Sequence, residues 1–196
     1  MKSKNWLQRH NKDIYVKKAK KEGYLSRAAF KLIEIEQKFK IISNSKKILE
    51  LGSSPGGWSQ VICNFNKHAS IYSFDILDMH FKHPQIKFFK ENFLEFNFKI
   101  LNEKYDLILS DIAPNTIGHQ STDHLRIISL IEDTIYIVEN YIKINGNFVF
   151  KLWKGSQDKI ILSRLKKKFK KISNFKPISS RIKSSEIYVV AQGFIV

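Results

Sequence analysis

Lys46-Lys47-Ile48-Leu49-Glu50-Leu51-Gly52-Ser53-Ser54-Pro55-Gly56-Gly57-Trp58 is the stretch that decides how this chain is read. Four residues of mostly apolar character, Ile48 to Leu51, predict a short buried strand. The glycines and serines behind it predict a tight turn, and Gly57 onward predicts a helix. A strand, a small-residue loop and a helix in that order is how many α/β enzymes receive a nucleotide-like cofactor, because glycine lets the backbone turn sharply and approach a ligand closely. The spacing is Gly-x-x-x-Gly-Gly. It is neither the dinucleotide fingerprint Gly-x-Gly-x-x-Gly nor a phosphate loop, since no Gly-Lys-Ser/Thr follows. A cofactor with an adenosine and no phosphates fits better, and S-adenosylmethionine is the common one. The plain alternative is a strand-turn-helix corner with no ligand.

Outward from this segment, strands and helices alternate. Ser26 is the expected N-cap of a helix from Arg27 to about Lys40, with Leu25, Ala28, Ala29, Leu32, Ile35 and Phe39 at helical spacing. Strand one is placed at Lys46–Leu51 and the next helix at Gly57 to about Phe65. Further strands are expected at Ala69–Asp75, near Ile86–Lys90, and at Tyr105–Asp111. A long amphipathic helix is expected from about Thr122 to Lys143. Asn145-Gly146 is read as a turn into strand five, Asn147–Leu152. A helix over about Asp158–Lys170 and strands at Ile172–Lys176 and Glu186–Gly193 complete the pattern. Such alternation implies an α/β fold, a mostly parallel sheet of seven strands with helices on both faces. The 196 residues suit one domain, 1–196, whose first 25 residues form a basic, partly helical arm.

The formal charge of +16 points to a polyanionic partner. The basic residues are 29 Lys against 5 Arg, so position is more telling than total. Residues 1–40 carry 12 basic and 4 acidic side chains. Arg164, Lys166, Lys167, Lys168, Lys170 and Lys171 form a second block. Two separated blocks favour nucleic acid over a merely solvated face. No run of about 18 apolar residues is present, so no membrane partner is expected. The lysine-rich start lacks the apolar core of a secretory leader. The single cysteine, Cys63, excludes an internal disulfide and a cysteine-rich metal site, and a cytoplasmic location is the default. A monomer is the default assembly.

In open α/β sheets the ligand sits beyond the carboxyl ends of the strands. Asp75 closes strand two, where a carboxylate can hold both ribose hydroxyls of an adenosine. Asn92 follows strand three, where an amide could read the adenine edge. Asp111 closes strand four and opens Asp111-Ile112-Ala113-Pro114-Asn115. Each of the three could instead be an ordinary turn residue. Lys151 stands out in Phe148-Val149-Phe150-Lys151-Leu152-Trp153, because a lysine ending a buried strand needs a partner for its charge. Lys31, among the polar residues of its helix, and Glu186, opening the last strand, carry no special signal alone. The Asp-Pro-Pro-Tyr type of motif that holds a flipped base for exocyclic amino methylation is absent after strand four. Cys63 falls in a helix and is expected in the core, which argues against cytosine-5 chemistry. The six histidines and the serines show no zinc, triad or nucleophile-elbow pattern.

Several segments together resemble the FtsJ/RrmJ-type ribosomal RNA ribose 2′-O-methyltransferase family. They are Trp6-Leu7 with Tyr15-Val16-Lys17-Lys18-Ala19, Ser26-Arg27-Ala28-Ala29-Phe30-Lys31-Leu32, Leu51-Gly52 through Pro55-Gly56-Gly57-Trp58-Ser59-Gln60, Ser110-Asp111-Ile112-Ala113-Pro114-Asn115, Phe148-Val149-Phe150-Lys151 and Ser185-Glu186-Ile187-Tyr188. They lie in family order over almost the whole chain. The resemblance implies a Rossmann-like class I methyltransferase fold. It implies a tetrad at Lys31, Asp111, Lys151 and Glu186, with Lys151 as proton acceptor, and S-adenosylmethionine contacts at Gly56, Trp58, Asp75, Asn92 and Asp111. It also implies 2′-O-methylation of a ribose, a uridine, in large-subunit ribosomal RNA late in ribosome assembly. Two departures stand out. Glu50 and Asn92 occupy positions where the family commonly has Asp. Transfer RNA or a messenger RNA cap as substrate, and a non-catalytic RNA-binding assembly factor, remain the alternatives. If the basic blocks grip RNA backbone, affinity falls steeply with salt. Filter binding of RNA at low and high salt checks this, and a flat response removes the polyanion reading.

Overall fold

The computed structural model describes residues 12–112, 120–153, 158–182 and 184–196. Helix α1 (Ile14–Glu22) and helix α2 (Ala28–Phe39) precede the sheet. There follow β1 (Lys47–Leu51), α3 (Gly57–Phe65), β2 (Ser70–Phe74), β3 (Ile86–Phe89), a 3-10 turn (Phe98–Leu101) and β4 (Tyr105–Ser110). Then come α4 (Gln120–Tyr141), β5 (Ile142–Trp153), α5 (Asp158–Lys166), β6 (Phe169–Phe175) and β7 (Glu186–Phe194).

The strands form one seven-stranded sheet in the order β3-β2-β1-β4-β5-β7-β6. The β1–β2, β1–β4, β2–β3 and β4–β5 pairs are parallel, while β7 runs antiparallel between β5 and β6. This is the mixed, mostly parallel α/β sheet that the alternating pattern implies. The order reverses at β1, so the carboxyl ends of β1 and β4 open a crevice on the side where ligands bind in such sheets.

Strand alternation explains why the central strands read as unbroken apolar runs. Neighbouring residues point to opposite faces, and both faces are covered. Leu49, Leu51, Ile108, Phe148 and Phe150 are buried on one face with Ile131, Ile135 and Val138 of α4. Ile48, Leu107, Leu109, Val149 and Val190 are buried on the other with Leu32 and Ile35 of α2 and Val61 and Ile62 of α3. Cys63 lies in this second core, and burial pushes its thiol up to about 11.

Three local expectations need correction. Ser26 does not cap α2. The N-cap is Arg27, without a side-chain cap bond, and the Ser26 hydroxyl faces Gly57. Helix α5 ends at Lys166 instead of continuing to Lys170. Two tight backbone bonds, Lys167 N to Arg164 O and Lys168 N to Leu165 O, close it, because Phe169 is buried edge-on against Phe194 as the start of β6. The second basic block therefore spans a helix-to-strand turn. Finally, Asn145-Gly146 is not a turn before β5 but part of it. Asn145 takes a left-handed φ of 64°, and the pairing with β4 shifts register between Tyr105 and Leu107, which lets Ile142 enter the sheet directly after α4.

The link from α2 to β1 depends on Glu36. Its buried carboxylate accepts from Ile42 N at 2.7 Å, Ser43 N at 3.2 Å and Ser43 Oγ at 2.6 Å. Truncation would leave those donors unpartnered in the core. Glu36→Ala is expected to lower unfolding free energy by about 2–3 kcal/mol in urea titrations. A change under about 0.5 kcal/mol would remove this role.

Candidate active site

The loop after β1 is held open by glycine and fastened by a carboxylate. Gly52 sits at φ 80° and Gly56 at φ 115°, both in the region that side chains disfavour. A Cβ on Gly56 would meet the Cβ of Phe81 at 2.6 Å. Asp75, one residue past β2, accepts from Ser54 N at 2.8 Å and from Leu77 N at 2.9 Å, which ties the loop to the end of β2. Each carboxylate oxygen of Asp75 keeps further acceptor capacity, enough for a pair of hydroxyls. Helix α3 begins at Gly57, and an α-helix leaves its first backbone N–H groups without partners inside the helix. These are features that an adenosine-bearing, carboxylate-bearing cofactor would fit.

Trp58 and Asn92 take different places. The Trp58 indole is buried, donates to Ala28 O at 2.9 Å and packs 5.7 Å from the Tyr188 ring. Its side chain is core; its backbone amide is among the first N–H groups of α3, which have no partner within the helix. Asn92 builds a local turn: its Oδ1 accepts from Leu94 N at 3.2 Å and its Nδ2 donates to Glu95 at 2.8 Å. One Oδ1 lone pair is left for an outside donor.

Glu50 lies under the loop, 1% exposed. It accepts from the hydroxyls of Ser59 and, at 2.9 Å, Ser73, bridging α3 to β2. Its second oxygen has no partner among the described residues. Burial pushes its carboxyl up to about 7; the Ser59 and Ser73 hydroxyls oppose the rise, and the charges of Asp111 and Asp75 add to it.

Lys31, Asp111, Lys151 and Glu186 come together from four separate segments. Lys151 Nζ lies 3.0 Å from Asp111 Oδ1 and 2.7 Å from the Asp111 carbonyl. Lys31 Nζ lies 2.7 Å from Glu186 Oε1. All four side chains are between 10% and 17% exposed, too buried to remain charged without these pairings. Tyr188 connects the pairs: its hydroxyl donates to Asp111 Oδ1 at 2.7 Å, and Lys31 Nζ stands 5.6 Å from its ring centre. Burial alone would raise the Asp111 pKa, but Lys151, Lys31 and the hydrogen bonds from Tyr188 and Lys151 outweigh it and hold the carboxyl below the usual range. Burial, and after it Asp111 and Glu186, lift the Tyr188 phenol well above its ordinary value, so it stays protonated and donates.

A cleft of about 640 Å³ opens beside these groups. Lys31 and Glu186 line it with Pro55 of the glycine loop, Lys20 and Arg27 of the N-terminal region, and Arg181 of the β6–β7 loop. The crevice thus joins the loop to the paired charges and is rimmed by cations.

The FtsJ-like methyltransferase profile matches residues 24–194. The chain belongs to this family. It is 40% identical to a ribosomal RNA large subunit methyltransferase E of Rickettsia felis, over 96% of this chain and 88% of that protein. It is 41% identical to the protein of the same name from Rickettsia akari, with the same coverage. A solved Plasmodium falciparum structure, described as a ribosomal RNA methyltransferase, superposes with a TM-score of 0.76 at 32% identity, covering 87% of this chain and 98% of its own. A Lactococcus lactis protein described as a hemolysin, at 15% identity and a TM-score of 0.62, shares the fold alone.

Within this family fold, the strand-borne residues singled out from sequence lie at the end of the sheet where β1 to β5 finish and β7 begins, and Lys31 reaches it from α2. Tyr188 was not assigned a part by sequence reasoning, nor was Ser180, which donates to Glu186 Oε1 at 3.0 Å. For Tyr188 a signal existed: it lies two residues after Glu186 on one strand, hence on the same face. Ser180 comes from a loop and gives no periodic signal. Ala113, Pro114 and Asn115 of the motif after β4, and Trp6 and Leu7 of the arm, lie outside the described residues.

Glu50 generates a pH prediction. Its folded-state pKa is raised from about 4.5 to about 7, so between these values the folded protein holds a proton that the unfolded chain has lost. Stability therefore falls as pH rises through that window and is flat above it. Glu50→Gln removes this slope. Urea unfolding at pH 4.5 and pH 7.5 is expected to show the wild type losing on the order of 3 kcal/mol relative to the variant. Parallel stabilities would sink the assignment.

Proposed function

We propose that this protein transfers the methyl group of S-adenosylmethionine to the 2′-oxygen of a ribose, a uridine, in large-subunit ribosomal RNA late in subunit assembly. The observation that carries the reading is the pairing of Lys151 with Asp111 and Lys31 with Glu186 through Tyr188, beside the glycine loop of an FtsJ-like fold. The names of the Rickettsia relatives support ribosomal RNA as the substrate, and the basic arm supports a polyanion.

Bound S-adenosylmethionine would supply an electrophilic sulfonium methyl. The remaining task is to align a hydroxyl and take its proton. Gly56, the Trp58 backbone amide, Asp75, Asn92 and Asp111 would hold the cofactor, with Asp75 on the ribose hydroxyls. Lys151 is the proton acceptor. Lys151, paired with Asp111 as the ammonium, can accept only after releasing a proton to solvent; the neutral amine then has two N–H bonds and one lone pair. The Asp111 carbonyl and Oδ1 stand where both N–H bonds can donate, which leaves the lone pair for the acceptor hydroxyl. Asp111 then stabilises the ammonium that forms. Lys31, oriented by Glu186, is placed to hold the acceptor ribose in the cleft.

Labelled S-adenosylmethionine incubated with large subunits lacking their own modification, with transfer RNA as control, tests the reading. Label on a ribose 2′-oxygen of the large-subunit RNA is expected. Label on transfer RNA alone would replace the substrate. Lys151→Ala is expected to lower kcat by roughly 10²–10⁴-fold with cofactor affinity near wild type. Full activity in that variant would overturn the proton-acceptor role.

A further inference from the structure

Trp153 ends β5 two residues beyond Lys151, and its cross-strand partner on β7 is Glu186. Alternation places Lys151, Trp153, Glu186 and Tyr188 on one face of the sheet. The indole is only partly buried. Part of it packs against the core cluster under α4 and α5, and it also lines the cleft with Lys31 and Glu186. An aromatic ring of this size beside four paired charges does nothing for proton transfer. Among the described residues it makes no hydrogen bond to the glycine loop. Around it the cleft carries Lys20 and Arg181, the latter 44% exposed at its side chain. An aromatic surface with cations at the rim is the arrangement that takes a single-stranded nucleotide: the cations hold phosphate and position the strand, and the ring stacks the splayed base. The cleft volume of about 640 Å³ falls within the range of roughly 300–1,000 Å³ that encloses small ligands.

We infer that Trp153 is the stacking platform for a nucleobase of the acceptor strand, at or next to the nucleotide whose ribose is methylated, with Arg181 and Lys20 on the flanking phosphates. This rests on the proposed function and adds the residue that grips the substrate base. The stack is made equally before and during methyl transfer, so its loss acts on binding and not on turnover. Stacking is sequence-tolerant, since every base has a π-face; Trp153 splays and orients the strand, and the identity of the base is read elsewhere.

The experiment is steady-state methylation of unmodified large subunits by Trp153→Leu and Trp153→Phe, with cofactor affinity and melting temperature measured on the same preparations. Trp153→Leu is expected to raise KM for subunits by about ten-fold or more, with kcat and cofactor Kd near wild type. Trp153→Phe, which keeps a ring, is expected to recover most of the loss. RNA is also expected to quench tryptophan fluorescence in the wild type and to quench it less in Trp153→Phe, a readout that stands even if the leucine variant misfolds. Unchanged KM in Trp153→Leu, equal impairment in both variants with weakened cofactor binding, or identical quenching in wild type and Trp153→Phe would each overturn the assignment. A wild type that methylates no RNA ribose would instead sink the proposed function, and labelled product with an unaffected Trp153→Leu would sink only this inference.

Discussion

Four charges are withdrawn from water at one end of the sheet, and each must find its opposite. Removing a carboxylate or an ammonium from solvent costs several kcal/mol per ion unless geometry and extra hydrogen bonds return it. Here the returns come from distant segments: Lys31 from α2, Asp111 from the end of β4, Lys151 from β5, Glu186 and Tyr188 from β7. The arrangement cannot form piecemeal. The antiparallel insertion of β7 beside β5 brings Tyr188 opposite Lys151 and Glu186 opposite Trp153. Deleting one member leaves another uncompensated, whereas the apolar contacts of the core are individually more forgiving.

The same logic extends to the wall of the cleft. Asp13 is 8% exposed at its side chain and accepts from Tyr15 N at the start of α1, from Arg27 and, at 3.1 Å, from Arg181. Arg27 also donates to the Ser179 carbonyl, and Glu34 accepts from the backbone amides of Ile178 and Ser179. One carboxylate thus fastens the N-terminal helix to the β6–β7 loop. That loop in turn supplies Ser180 to Glu186. The described part of the basic arm, from residue 12 onward, is therefore built into the site's architecture.

Much of this was legible in the sequence because it depends on short-range rules. The glycine turn after β1 and the two-faced apolar strands follow from spacing alone, and Lys151 was conspicuous because an apolar run surrounds it. Lys31 was legible only by resemblance. A lysine among Arg27, Glu34 and Lys38 looks like any solvent-facing residue until α2 is packed and Glu186 arrives from 155 positions away. The misplaced boundaries have tertiary causes. Phe169 overrides the helix-favouring lysines before it by entering the sheet, and Asn145 accepts a left-handed backbone so that Ile142 can be buried. The side chain of Trp58 went to the core instead of the glycine loop because Ala28 O offers its N–H a partner and Tyr188 offers its ring a neighbour.

Strand β7 follows every other strand in chain order, yet it lies inside the sheet, between β5 and β6. Until it is inserted, Lys31 lacks its carboxylate, Asp111 lacks its phenol donor, and β5 and β6 have no hydrogen-bonded contact with each other. The part of the sheet that carries the glycine loop, β3-β2-β1-β4, is hydrogen-bonded without β7, whereas β6 joins the sheet only through it. Insertion of β7 thus makes two things one event: it fastens β6 to the rest of the sheet, and it brings Glu186 to Lys31 and Tyr188 to Asp111.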